Sequence, residues 1–149
     1  MSKDRKVIIV GAGLCGSLLA IRMGQRGYNV QMYERLPDIR ENALAGGRSI
    51  NLALSDRGLK AIKTAGLKEE ILKECIGMYA RLIHSVDGEL RKSNYSGRED
   101  EKINSVSRTG LNIALLNKAD TYENVTINFN MRCERVDLEN ARGTFVDRE

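Results

Sequence analysis

Gly11, Gly13 and Gly16 follow the apolar run Val7-Ile8-Ile9-Val10, and Glu34 stands eighteen positions after the last of them. These residue types at this spacing suit one kind of chemistry, the capture of a dinucleotide. Gly11 permits a tight turn out of a strand, Gly13 lets the backbone approach a pyrophosphate, and Gly16 allows close packing of helix on strand. The helix that opens there turns unpaired N–H groups and the positive end of its dipole toward phosphates. Glu34, at the tip of a second apolar stretch over Tyr28–Tyr33, can accept hydrogen bonds from ribose hydroxyls. The bland alternative is a structural turn, and the fingerprint does not separate FAD from NAD.

The elements that must position these residues follow from periodicity. Val7–Val10 reads as a central parallel strand, buried on both faces, and Leu14, Leu18, Leu19, Ile21 and Met23 give a helix that Gly27 ends. Residues 43–54 read as a glycine hinge and a short extended segment, after which Ser55 caps a helix stopped by Gly66, and a second short helix runs from Lys68 to Cys75. From Tyr79 the period becomes two. Tyr79–Val86, Asp87-Gly88 and Glu89–Arg91 predict a hairpin with a type I′ turn, and Ile103–Ser107 a further strand. Ser107 or Thr109 starts a helix through Leu115 and Leu116, Val125–Phe129 is expected to return to the nucleotide-binding sheet, and Met131–Val136 with Gly143–Val146 should pair antiparallel. The expectation is an α/β fold, a Rossmann-like βαβ core interrupted by an antiparallel β insertion at about 79–107, with all 149 residues in one domain.

A net charge of +4 is spread among acids, as in Arg98-Glu99-Asp100-Glu101-Lys102, which argues against nucleic acid and for small anionic ligands. Cys15, Cys75 and Cys133 are far apart and form no CxxC pair, so neither a structural zinc site nor a disulfide framework is expected. Basic residues before an apolar run superficially resemble a signal peptide, but the run is glycine-interrupted and matches the nucleotide fingerprint better. No segment reaches the roughly 20 apolar residues of a membrane span. A cytoplasmic location is the expectation.

Four blocks carry a resemblance: Gly11-Ala12-Gly13-Leu14-Cys15-Gly16-Ser17, Gly47-Arg48-Ser49-Ile50-Asn51-Leu52-Ala53-Leu54-Ser55, Ala80-Arg81-Leu82-Ile83-His84-Ser85 and Ser105-Val106-Ser107-Arg108. The chain resembles the single-component, NADPH-dependent flavin aromatic hydroxylases, and among them the branch that hydroxylates L-kynurenine in tryptophan degradation. The second block is the most diagnostic. The resemblance runs from about Val7 to residue 135 and covers only the N-terminal third of such an enzyme.

What the resemblance implies can be carried over residue by residue. Gly11, Gly13, Leu14, Cys15 and Gly16 would line the FAD pyrophosphate, Glu34 the adenosine ribose, with Arg35 beside the adenosine. Ala53 would approach the flavin, Arg108 the phosphate–ribityl region, and Cys133 the adenine. Arg81 and Tyr95 would hold the carboxylate of the substrate, a guanidinium fork supported by a directed phenol hydrogen bond. From the residues alone, Arg81 and Arg108 read as solvated side chains, Tyr95 as a surface tyrosine, and Arg48 as a weak phosphate clamp on a glycine loop. His84, the single histidine, falls opposite Arg81 on its strand and is assigned no chemistry. No nucleophile, metal cluster or acid–base pair is visible, as suits chemistry carried by FAD with NADPH and O2.

The family's later Asp-Gly and Gly-Asp motifs are not among these residues, so the chain reads as an N-terminal segment, inactive alone and prone to self-association through exposed apolar edges. Two rivals remain. A non-catalytic ADP- or FAD-binding module suits a chain holding only the adenosine half of a site. An NAD-dependent dehydrogenase would need a hydride-transfer domain that the antiparallel insertion does not supply.

Overall fold

A computed structural model describes residues 5–41, 50–98 and 101–147. Strand β1 (Lys6–Val10), helix α1 (Leu14–Gly24) and strand β2 (Asn29–Tyr33) open the chain. β1 and β2 run parallel, with Val7 beside Val30 and Ile9 beside Met32. Gly27, at φ +78°, takes the left-handed conformation that turns the chain out of α1 toward β2. There follow β3 (Asn51–Leu54), α2 (Asp56–Thr64), α3 (Lys68–Lys73), β4 (Ile76–Met78), β5 (Ala80–His84) and β6 (Leu90–Asn94). The remainder is β7 (Ile103–Ser107), α4 (Arg108–Asp120), β8 (Val125–Asn128), β9 (Met131–Asp137) and β10 (Arg142–Asp147).

β8 does return to the first sheet, parallel to β2, and the order is β1-β2-β8. One face of that sheet, Ile9, Val30, Met32 and Val125, packs on Ile21 of α1 and on Leu115, Leu116 and Ala119 of α4. These side chains are buried, and their removal from water is the main favourable term holding the core together. Asn124 fastens the lower edge by donating to the carbonyls of Gly24 and Tyr28 at 3.0 and 2.8 Å.

The expectation of a central β1 buried on both faces is not met among the described residues. β2 is the central strand of the described sheet and β1 lies at its edge. Ile8 and Val10, on the face away from the helices, are 44% and 55% exposed. Among the described residues the helices cover one face only. On the other, Tyr33 stacks on Phe145 of the β9–β10 hairpin with ring centroids 3.7 Å apart, leaving Ile8 and Val10 along an open apolar groove.

The strands between residues 76 and 107 divide between two sheets. β7 lies between β3 and β4, whereas β5 and β6 form a separate two-stranded ribbon. The turn of that ribbon is not type I′. Gly88 has φ +85° but Asp87 does not have positive φ, and the Gly88 N–H donates to the carbonyl of Ser85 at 3.1 Å. This is a type I turn closed by a left-handed glycine, the usual solution for a loop one residue longer. Ser55 occupies the cap position of α2 without a side-chain hydrogen bond, while Ser107 caps α4 by accepting from the Gly110 N–H at 3.2 Å. Among the described residues no helix is long and apolar enough to cross a membrane, and no cluster of metal-ligating side chains occurs.

Candidate functional site

The turn after β1 is built around two close approaches. Gly11 has φ +97° and donates its N–H to the Tyr33 carbonyl at 2.7 Å. Gly16 sits so near this turn that a Cβ there would fall 1.9 Å from the Gly11 carbonyl oxygen. Gly13 is different: a Cβ would meet nothing among the described residues within 4 Å, and the residue stands exposed at the N-cap of α1. α1 has no acidic residue in its first turn and, among the described residues, no side-chain cap, so no described acid satisfies its first N–H groups.

Glu34 stands at the end of β2, and both its oxygens are engaged. Oε2 accepts from the Ala12 N–H at 2.8 Å and Oε1 from the Leu36 N–H at 2.9 Å. The carboxylate therefore braces the glycine turn while keeping lone pairs for a further donor. Between this brace and α4 lies an open cleft of about 150 Å³, whose lining includes Gly13, Leu14, Glu34, Arg108, Asn112 and Phe129. Arg108 opens α4, exposed, with its own N–H bonded to the Ile50 carbonyl at 3.0 Å. Leu36, Ile39, Leu116 and Phe129 supply the apolar wall.

Of the residues singled out in the sequence, Gly13, Leu14, Glu34 and Arg108 meet in this cleft. Gly11 and Gly16 shape it from behind, Cys15 is exposed in the first turn of α1, and Arg35 is exposed beside Glu34. Ala53 lies on β3 opposite Ser105, and Cys133 on β9 opposite Phe145, neither of them in the cleft lining. Arg81 and Tyr95 belong to the separate ribbon. Arg81 opposes Ser93, and the Tyr95 N–H continues the ladder to the Tyr79 carbonyl at 3.0 Å, so the register puts Arg81 and Tyr95 on one face. His84 alternates to the other face. Tyr95 also borders a second open cleft with Ser55, Asp56 and Lys102. Gly47 and Arg48 lie outside the described residues.

Sequence reasoning missed Ala12, Asn112, Ile39 and Phe129. A signal existed for Asn112, a polar residue one helical turn after Arg108 and next to the buried Leu111 on a helix whose buried positions are Leu111, Leu115, Leu116 and Ala119. None existed for Phe129, whose place depends on an ion cluster built across the chain. Arg40 grips Asp38 with Nε at 2.8 and 2.9 Å and Nη2 at 2.6 Å, reaches Asp120 with Nη1 at 2.6 Å, and lies 5.6 Å from the centre of the Phe129 ring. This ties the segment carrying Leu36 and Ile39 to the end of α4.

Burial alone would raise the Asp38 pKa, but the hydrogen bonds and charge of Arg40 outweigh it and hold the carboxyl below its ordinary value. A carboxyl lowered in the folded state stabilises the fold above its unfolded pKa, about 3.9, and loses that contribution as pH falls through the folded value. Arg40→Met is expected to cost about 1–2 kcal/mol at neutral pH, and progressively less below about pH 4. Urea midpoints of both proteins across that range check it.

A parallel βαβ unit whose glycine turn, acidic strand tip and open helix end converge on one cleft defines a dinucleotide-binding domain. Comparison with known proteins specifies which. The chain belongs to the family of FAD-binding domains, which matches residues 4–149. It is 44% identical over 149 residues to a kynurenine 3-monooxygenase of Myxococcus xanthus, covering 99% of this chain and 32% of that protein. A kynurenine 3-monooxygenase of Legionella pneumophila is 41% identical over 150 residues, covering 96% of this chain and 33% of the relative. Pseudomonas aeruginosa PqsL, named as a probable FAD-dependent monooxygenase, superposes with a TM-score of 0.71 at 26% identity, over 93% of this chain and 36% of its own. The chain thus spans about a third of the length of the curated relatives it matches.

FAD is accordingly the cofactor of this domain, and the residues present fit its ADP half. The space in front of Gly13 is open, Glu34 retains acceptor capacity for ribose, Arg108 supplies a cation at the mouth, and the wall of Leu36, Ile39 and Phe129 suits a flat apolar base.

Proposed function

We propose that this chain is the FAD-binding part of an NADPH-dependent flavin monooxygenase that hydroxylates L-kynurenine to 3-hydroxykynurenine. What carries the reading is a nucleotide cleft of the right chemistry in a chain more than 40% identical to kynurenine 3-monooxygenases over nearly all its length. Bound FAD would supply the transfer of electrons from NADPH and the delivery of oxygen from O2 to the ring. The work of this chain's own residues is to bind and orient. The first turn of α1 and Arg108 hold the pyrophosphate, and Glu34 orients the ribose. Arg81 and Tyr95, on one face of the ribbon, suit a carboxylate that anchors an amino-acid substrate at a distance from the nucleotide cleft. On the family pattern Cys15 and Arg35 would flank the nucleotide, Ala53 would approach the flavin and Cys133 the adenine, all four from outside the cleft lining.

The test is turnover by the full-length protein loaded with FAD. Kynurenine should stimulate NADPH oxidation and yield the hydroxylated ring. Arg81→Met should raise the KM for kynurenine about tenfold or more with a smaller change in kcat, as expected for loss of a charge-assisted hydrogen bond in substrate binding. Flavin-loaded protein that makes no hydroxylated product would overturn the reading. That outcome, with ADP and FAD binding about equally, would favour a non-catalytic nucleotide-binding module, which the cleft between Glu34 and α4 also suits.

A further inference from the structure

We infer that Asn112 is a positioning residue for the phosphate-binding backbone, fixing the Ala12–Gly13 peptide so that the Gly13 N–H faces the mouth of the cleft. The inference rests on the reading that the cleft takes the pyrophosphate of FAD or ADP.

A trans peptide is planar, and its C=O and N–H point in opposite directions. Orienting one end therefore aims the other. The carbonyl of Ala12 is the acceptor end of the peptide whose donor end is the Gly13 N–H. That carbonyl is gripped by two side chains from inside the fold. Ser17 Oγ, fully buried, donates to it at 3.1 Å, and Asn112 Nδ2 donates at 3.1 Å from α4, a hundred residues along the chain. The preceding peptide is held too, because the Ala12 N–H donates to Glu34. Ala12 is thus pinned on both sides, while Gly13 itself has no side chain and open space around it.

The rotation that would undo this arrangement is cheap in steric terms, since glycine tolerates backbone angles that other residues do not. A flipped Ala12–Gly13 peptide would present a carbonyl oxygen where the pyrophosphate must sit, replacing a donor with a repelling acceptor. Ser17 alone is a limited restraint, because its hydroxyl rotates and belongs to the helix that follows the same turn. Asn112 ties the turn to a different helix. Its Oδ1 is buried and has no hydrogen-bond partner among the described residues, so the donation from Nδ2 is the polar contact the side chain makes there.

The test is calorimetric titration of wild type, Asn112→Leu and Ser17→Ala with ADP and with adenosine, which lacks the phosphates. Leucine keeps the size of the side chain and its fitness for a helix while removing the donor. For Asn112→Leu, ADP affinity should fall about tenfold, as for loss of a part-buried hydrogen bond, with adenosine affinity unchanged within about twofold. Ser17→Ala should fall in the same direction by less. The amide proton of Gly13 should shift on ADP binding in the wild type and lose much of that shift in Asn112→Leu. An equal loss for ADP and adenosine would make Asn112 an ordinary wall residue and overturn the inference, as would ADP binding insensitive to both variants. Should Asn112→Leu not fold, Asn112→Ala, which also removes the donor, takes its place in the same titrations and the same Gly13 amide measurement. A wild-type protein that binds neither ADP nor FAD would instead overturn the cofactor reading on which the inference stands.

Discussion

Gly16→Ala should cost the protein about 3 kcal/mol or more and abolish measurable FAD binding. Overfilling a packed site ordinarily costs about 1–3 kcal/mol, because side chains give way. Here the obstacle cannot. The added Cβ would stand 1.9 Å from the Gly11 carbonyl oxygen and 3.1 Å from the Gly11 carbonyl carbon, both of them backbone atoms. Gly11 is itself held by its hydrogen bond to Tyr33 and its positive φ. Relief requires α1 to move away from β1, which drags Gly13 and the first turn of the helix from the cleft. Gly13→Ala is the control. Its Cβ meets nothing within 4 Å and its φ is −75°, so stability should change by less than about 1 kcal/mol while the methyl obstructs the nucleotide. Urea denaturation and ADP titration of the two variants together separate packing from ligand approach. Gly16→Ala with wild-type stability would refute the argument.

The contrast between these glycines is largely legible in the sequence, because the fingerprint assigns a different steric task to each. The βαβ unit and the return of β8 are legible too, since their apolar periods are local. The position of β1 is not. Four consecutive apolar residues look the same whether a strand is covered on two faces or one, and only the packing of α1 and α4 against the Ile9 face leaves Ile8 and Val10 on the open side. β4 has no sequence signal because Ile76-Gly77-Met78 is short, carries a glycine and leaves Ile76 72% exposed, so nothing in its composition distinguishes it from a turn. The Asp87-Gly88 dipeptide suggests the wrong turn because loop length, which the pairing register sets, decides the type. The braces of the site are long-range. Arg40 meets Asp120 across 80 positions and Asn112 meets Ala12 across 100, and a sequence records neither separation. Arg81 and Tyr95 fall on one face of a ribbon because their strands pair in one register, which the alternation alone leaves undetermined.

Glu34→Gln should weaken FAD and ADP binding by roughly two orders of magnitude, although it preserves the shape of the side chain. Both carboxylate oxygens already accept a backbone N–H, from Ala12 at 2.8 Å and from Leu36 at 2.9 Å. An amide has a single oxygen, so its NH2 group must oppose one of these donors at a distance that two donors cannot share. Either the Ala12 or the Leu36 N–H loses its partner, at about 1–3 kcal/mol for a half-buried group, and a charge-assisted contact to ribose is lost as well. Glu34→Asp keeps the charge, but with one methylene less it cannot span both N–H groups, and its loss should be intermediate. If Glu34 only braced the turn, stability and affinity would fall in step, and the ribose would be irrelevant. If it also receives the ribose, wild type should prefer ADP over its 2′,3′-dideoxy analogue by about tenfold, the worth of a hydrogen bond to a charged group, and Glu34→Gln should lose that preference. Titration of both proteins with both nucleotides isolates the ribose contact from the brace, because the hydroxyls are absent from the analogue whichever residue stands at position 34.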